Sequence, residues 1–327
     1  MRIYKLILVF VTLGCFIFLT TLVSCSNSPD EIKPKSSVVE LINSQPNLST
    51  YKQAIEITGL SSFLVAGNLT YLMPTNAAFS KFLLDNNYST LAAVPVPVLK
   101  EILMNHFMSG LQTRSALATG YFQTLAKGTA SATNSLSLYV ASSGNDVVFN
   151  GISKIITADI IANNGLIHVV DAVIILPTIL LQLTANELFS TLLIVLTNQN
   201  QATPINYFKN TLTDVSTKTF FAPTNAAFSS LNSEFNYTAT NPIASSLQNQ
   251  ILRYHISTGN NYFLNSFANN QTILTNQGIN LTVQLSNFTI QNSVQLRDAN
   301  NRLASITYKN IQCTNGMIHI IDKVLKP

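Results

Sequence analysis

The seven residues PTNAAFS occur twice in the chain, at Pro74–Ser80 and at Pro223–Ser229, 149 positions apart. A chance repeat of that length is improbable. A duplicated unit is the simplest origin, and other landmarks must then recur at nearly the same offset. They do. NGLIHVVDAVIILP at Asn164–Pro177 returns as NGMIHIIDKVLKP at Asn315–Pro327, and LKEILMNHF around His106 returns as LQNQILRYHI around His255. The four histidines, His106, His168, His255 and His319, all fall on the repeat. Two units follow, 36–177 and 179–327, each of ordinary domain size and able to bury its own core. The period is far too long for a solenoid. No Gly/Ser or Pro-rich linker separates the units, so they are expected to touch, with limited relative motion.

Ahead of the first unit lies MRIYKLILVFVTLGCFIFLTTLVSC. Arg2 and Lys5 open it, and Leu6–Val23 is an uncharged apolar run. That is the pattern of a secretory leader, here 1–24. The run ends in Leu22-Val23-Ser24-Cys25, which resembles the lipobox of bacterial lipoproteins. The resemblance implies cleavage before Cys25, a thioether-linked lipid on its thiol, and acylation of the new amine. Each buried CH₂ then adds about 0.8 kcal/mol to membrane attachment. The uncleaved alternative, a transmembrane helix, has barely enough apolar residues to span. The polar segment that follows, 25–35, is read as a lipidated tether holding the domains near a membrane. Ser26, by the same resemblance, points to an outer membrane. Exposure on its periplasmic face and exposure on the cell surface both stay open.

Loss of the leader leaves 16 cationic side chains against 14 acidic ones, which gives no electrostatic reason to expect nucleic acid as a partner. Cys15 leaves with the leader and Cys25 carries lipid, so Cys313 is alone in the fold and no disulfide within a domain is expected. Cys313 is read as a small packed hydrophobe.

Within each unit the order of patterns is the same. SVVELINSQPNLSTYKQAIEITGL carries the helical period, interrupted at Pro46. A strand follows, Leu69–Met73 or Thr219–Ala222, closed by Pro74 or Pro223, because proline offers no amide donor. Thr75 or Asn76 (Thr224 or Asn225 in the second unit) is placed to cap a helix. PTNAAF therefore reads as a strand-to-helix corner without reactive chemistry. A helix over Leu99–Phe107, or Leu247–Ile256, comes next. Strand patterning then takes over at Leu136–Val140, Val147–Asn150 and Lys154–Thr157. The unit closes on GLIHVVDAVI, with Leu166, His168 and Val170 on one face and Ile167, Val169 and Asp171 on the other. The expectation is an α+β fold with a mainly antiparallel sheet.

These motifs together resemble the fasciclin (FAS1) family, whose members carry a PTNxAF-like corner, a central Tyr-His and a final NGxIHVIDxVLxP. The second unit has Tyr254-His255 at the central position, whereas the first has Asn105-His106. The resemblance implies two tandem domains, each a β-wedge or sandwich packed with helices, and a role in adhesion or matrix binding. In some animal relatives an Asp-Ile pair before the last motif, and the Tyr-His region, are implicated in partner binding. By that resemblance Asp159, Ile160, Tyr254 and His255 are the binding candidates, although the second unit has Asn310-Ile311 where the pair would stand.

The residues themselves favour scaffold roles. His106, His168 and His319 sit in apolar surroundings and read as hydrogen-bonded structural histidines, with Asp171 and Asp322 as strand-end hydrogen-bonders. A metal site needs three or four converging ligands, so no metal or cofactor is expected. No GxSxG elbow, HExxH or Gly-rich phosphate loop is present, and no enzyme is expected. Trp is absent, so a sugar-binding role would have to rely on tyrosines. The expected function is a non-catalytic envelope lipoprotein that binds another protein or a surface polysaccharide. A structural subunit of an outer-membrane complex handling glycans or nutrients is the alternative, followed by a small-molecule or lipid-binding module. The anchor is directly testable. Cys25→Ala should move the protein from the membrane to the soluble fraction and abolish metabolic labelling with fatty acid; unchanged membrane partition would contradict lipidation at Cys25.

Overall fold

The computed structural model describes residues 36–197, 207–238, 241–285 and 294–327. The leader, Cys25 and the tether lie outside them. Residues from Pro34 to Pro327 cluster as one compact unit, within which the two repeats form separate cores.

The first repeat starts with helices α1 (Val38–Asn43) and α2 (Ser49–Thr58), separated by a short turn begun by Pro46. Strand β1 (Leu69–Pro74) then leads into helix α3 (Asn76–Asp85), followed by α4 (Val96–Met104). Six more strands complete it: β2 (Phe107–Ser109), β3 (Gly120–Gly128), β4 (Ser131–Ser143), β5 (Asp146–Phe149), β6 (Ser153–Ala162) and β7 (Gly165–Val170). The seven close into a barrel in chain order. Their pairings are antiparallel except one: β1 and β7 run parallel from Leu69↔Gly165 to Pro74↔Val170. The sheet is thus mainly antiparallel, with the first and last strands meeting in parallel.

The second repeat follows without a linker. Helices α5 (Ile179–Ala185), α6 (Ser190–Thr197) and α7 (Tyr207–Thr213) precede strand β8 (Lys218–Pro223), helix α8 (Asn225–Glu234) and helix α9 (Ser245–Tyr254). Strands β9 (Ile256–Thr258), β10 (Thr272–Leu274), β11 (Asn280–Leu285), β12 (Val294–Arg297), β13 (Leu303–Cys313) and β14 (Gly316–Ile321) follow. Their order is β10-β11-β12-β13-β14-β8-β9, and β8 and β14 again pair in parallel.

The paired central strands are buried along their whole length. Alternation of side chains across a strand explains how. Tyr71, Met73, Ile167 and Val169 point into a core beneath the helices, while Leu72 and Val170 point into the barrel with Phe149 and Leu138. In the second repeat Phe220, Ile318 and Ile320 face the helices, and Phe221 and Ile321 face the strand core. One β-pair therefore serves two cores, and this is why NGLIHVVDAVI is apolar on both faces.

The helices expected over Leu99–Phe107 and Leu247–Ile256 end earlier. Phe107 opens β2 and Ile256 opens β9, because each pairs with the central strand, Tyr71↔Phe107 and Phe220↔Ile256. The apolar run continues across a helix-to-strand junction that periodicity alone cannot divide.

The two repeats touch along β3, β4 and the β3–β4 turn of the first and α5 and β13 of the second. The Pro177 carbonyl accepts hydrogen bonds from the Thr314 N–H (2.8 Å) and hydroxyl (3.1 Å), and the Thr314 carbonyl accepts from Ala130 N–H and the Thr129 hydroxyl, both at 2.8 Å. Buried Ser137 accepts from the Gln312 N–H (3.0 Å), and its carbonyl accepts from Gln182 Nε2 (2.6 Å). A Cβ on Gly128 would stand 2.7 Å from Thr314 Cα, so glycine lets the two backbones meet.

Close approach also fixes the glycine that opens the last strand. At Gly316, with φ of 150°, a Cβ would lie 1.9 Å from the Lys218 carbonyl oxygen. Gly316→Ala should therefore cost more than about 3 kcal/mol of stability in urea unfolding. Gly278→Ala, at a position with φ of 84° and open space around it, should cost about 1 kcal/mol. Equal losses for the two variants would contradict the close-approach argument.

Candidate functional site

The repeated corner is built by two residues with separate tasks. Thr75 Oγ1 accepts the Ala78 N–H (3.2 Å) and caps α3; Thr224 accepts the Ala227 N–H (3.3 Å) and caps α8. The neighbouring Asn caps a different helix. Asn76 Oδ1 accepts the Thr50 N–H (2.9 Å) at the start of α2, while its Nδ2 donates to the Pro46 carbonyl and the Ser49 hydroxyl, both at 3.0 Å. Asn225 does the same to Thr191, Glu187 and Ser190, all at 2.9 Å. Pro74 and Pro223 end the parallel pair opposite Val170 and Ile321. Asp171 and Asp322 each close the last hairpin, accepting the Lys154 and Ser305 N–H groups at 2.7 Å.

All four histidines are buried and bonded through both ring nitrogens. At the end of α4, His106 Nδ1 donates to the Ile102 carbonyl (2.7 Å), and Nε2 accepts the Ile174 N–H (2.9 Å) beyond β7. His255 repeats this between the Ile251 carbonyl (2.7 Å) and the Leu325 N–H (3.0 Å). The strand histidines use the opposite tautomer. His168 Nε2 donates to the Gln112 carbonyl (2.8 Å) while Nδ1 accepts the Asp159 N–H (3.1 Å); His319 does so with Tyr262 (2.9 Å) and Asn310 (3.4 Å). One acceptor and one donor nitrogen require a neutral ring. Burial enforces it, pushing His106, His255 and His319 down to about 4 and lowering His168 as well.

The Asp-Ile position is a backbone feature. Asp159 and Asn310 both sit in the left-handed region, φ 57° and 59°, at corresponding bulges in β6 and β13. Asp and Asn tolerate that conformation best among non-glycine residues. Asp159 Oδ1 accepts the Arg114 N–H (2.8 Å), and Asn310 Oδ1 accepts the Leu264 N–H (2.9 Å). The amide thus replaces the acid without loss of role. Ile160 is half-buried against the helical core.

Tyr254 and His255 lie inside the fold. Tyr254 is fully buried, with its hydroxyl on the Asn280 carbonyl at 3.0 Å. Asn105 at the equivalent place bonds instead to the Ile174 and Ile175 carbonyls and to Thr124. Neither Tyr254 nor His255 presents its side chain at the surface of this structure. Cys313 is buried, and burial pushes its thiol pKa up. Among the described residues no three His, Cys, Asp or Glu side chains converge as metal ligands.

A cleft lies at the seam between the repeats. Its volume is about 580 Å³, and it is lined by Tyr121, Phe122 and Gln123 of β3, Ser137 of β4, and Ile306–Asn310 of β13. Tyr121 packs at a tilt against Tyr139 (ring centres 5.0 Å apart, planes at 54°) and Tyr308 (5.3 Å, 46°), and its hydroxyl accepts from Asn186 Nδ2 at 3.1 Å. Of these residues the sequence singles out Asn310 alone, as the counterpart of Asp159.

The histidine clasps give a pH dependence with a definite sign. In the unfolded chain each ring takes a proton near pH 6.5; in the fold it stays neutral to lower pH. The unfolded state therefore binds more protons between about pH 6.5 and pH 4, and stability falls as pH drops through that window. His106, His255 and His319 each contribute about 1.4 kcal/mol per pH unit there, and His168 adds in the same direction. Urea titrations from pH 7.5 to 4.5 should show this slope, and His319→Gln should reduce it by about one histidine's share; a flat profile would contradict neutral clasps. Asp159→Asn should change stability by less than about 0.5 kcal/mol, since the bulge bonds survive.

A family model, the Fasciclin domain, matches residues 46–177 and again 188–327. Among solved structures, the chain is similar to a FAS1 domain pair from the insect cell adhesion molecule Fasciclin I, at 18% identity and a TM-score of 0.52, covering 86% of this chain and 97% of that one. At that identity the likeness speaks for the fold. Fold, repeated motifs and family model agree, and the chain belongs to the fasciclin domain family, as a tandem pair of such domains.

Proposed function

We propose that this chain is a non-catalytic binding protein of a bacterial cell envelope, held to a membrane by lipid on Cys25, whose paired fasciclin domains adhere to another protein or to a surface polymer. The observation that carries this reading is the fate of the reactive side chains. The four histidines and Cys313 are buried, and every histidine nitrogen is engaged with main chain. Catalysis by acid, base or nucleophile needs such groups within reach of substrate; here they hold the fold. What the surface offers is contact area, including a cleft that exists only where the two domains meet. The insect cell adhesion molecule of similar fold supports the same direction.

Protease treatment of intact cells tests the placement. The protein should be released or degraded while a periplasmic control stays protected, and cells lacking it should adhere less to their surfaces or to one another. Full protection would defeat the adhesion reading in favour of a periplasmic structural role. Asp159→Ala serves as a control: with the bulge bond lost, stability should drop by about 1 kcal/mol while adhesion per folded molecule stays unchanged.

A further inference from the structure

We propose that the interdomain cleft is a saccharide-binding site, which takes a short run of neutral or acidic sugar rings. This deepens the binding reading above and rests on it. The cleft's volume, about 580 Å³, is that of a ligand site rather than a packing defect. Its lining combines three kinds of group. Tyr308 is 41% exposed and is held by Tyr121, which is itself fixed by Tyr139 and Asn186. The ring can thus offer a firm face to the apolar C–H side of a pyranose with little ordering cost. Gln123 is exposed and makes no side-chain hydrogen bond among the described residues; its amide both donates and accepts, as paired sugar hydroxyls require. Lys309 is exposed beside it, and no carboxylate lines the cleft. One cation without an opposing acid favours neutral or uronic-acid sugars over amino sugars.

The same lining disfavours other ligands. A phosphate group would want several cations or a nest of amides, and Lys309 is the only cation in the lining. An acyl chain would leave the Gln123 amide desolvated without a partner. Because β3 and β13 come from different repeats, the site needs both domains. That gives the tandem arrangement a task that neither domain performs alone.

The test is calorimetric titration of the full chain, extracted in detergent, with two probes: maltohexaose as neutral and hexagalacturonate as acidic oligosaccharide. At least one should bind. Tyr308→Ala and Gln123→Ala should each weaken that binding by about tenfold or more, while Tyr308→Phe, which keeps the ring, should stay within about threefold. Lys309→Met should weaken hexagalacturonate alone. Near-ultraviolet circular dichroism checks that each variant is folded, and Gln123→Ala, at an exposed position, keeps the test valid if Tyr308→Ala is not. Absence of binding by both probes, or binding indifferent to Tyr308 and Gln123, overturns the inference. So does displacement of a bound probe by an unstructured peptide rather than by sugar. If the wild-type chain and Tyr308→Ala coat beads that adhere equally to envelope material, the cleft inference fails and the broader binding reading stands. If wild-type beads adhere to nothing, the broader reading fails irrespective of the sugar titration.

Discussion

A neutral imidazole that donates through one nitrogen and accepts through the other is the interaction on which each domain depends. The last strand of each repeat is buried on both faces and pairs in parallel with the first. Such a strand has no solvent side on which to place polar groups, and the chain that enters and leaves it must still satisfy its amides and carbonyls. His106 and His255 hold the exit, joining a helix end to the segment after the strand. His168 and His319 hold the bulged partner strand and the loop after β2 or β9. Protonation would turn each acceptor into a donor facing an N–H. The fold is therefore committed to neutral rings, and burial secures them at the expense of stability in acid.

The corner motif shows how much a sequence can announce and where it stops. A strand ended by proline, followed by a capping Thr and two alanines, was readable from PTNAAF. The second half of its meaning was not: Asn76 and Asn225 cap helices that lie some thirty residues earlier in the chain, a tertiary relation with no local signal. The helix-to-strand junctions at Phe107 and Ile256 were misplaced for a related reason. Both residues are apolar and continue the helical stripe, and only pairing with Tyr71 and Phe220 makes them strand. The Asp-Ile position has a structural sense that its residue types do not announce: a left-handed backbone and a side-chain oxygen are what both copies share.

The cleft lay beyond the reach of sequence reading altogether. Its walls come from stretches nearly two hundred residues apart in the chain, Tyr121–Gln123 and Ile306–Asn310. Duplication supplies two similar scaffolds, but their contact is asymmetric: strands β3 and β4 of the first meet helix α5 and strand β13 of the second. A seam of this kind can acquire its own surface chemistry without disturbing either core, since Tyr121, Tyr308 and Gln123 lie outside the central strands that hold the histidines.

The claim that neutral, oppositely tautomeric histidines clasp the two domains is tested most directly by long-range ¹H–¹⁵N correlation of the imidazole rings in the folded protein. At pH 6 the account predicts four neutral rings, with the proton on Nδ1 in His106 and His255 and on Nε2 in His168 and His319. Any ring found as imidazolium, or exchanging between tautomers as free histidine does, would contradict it.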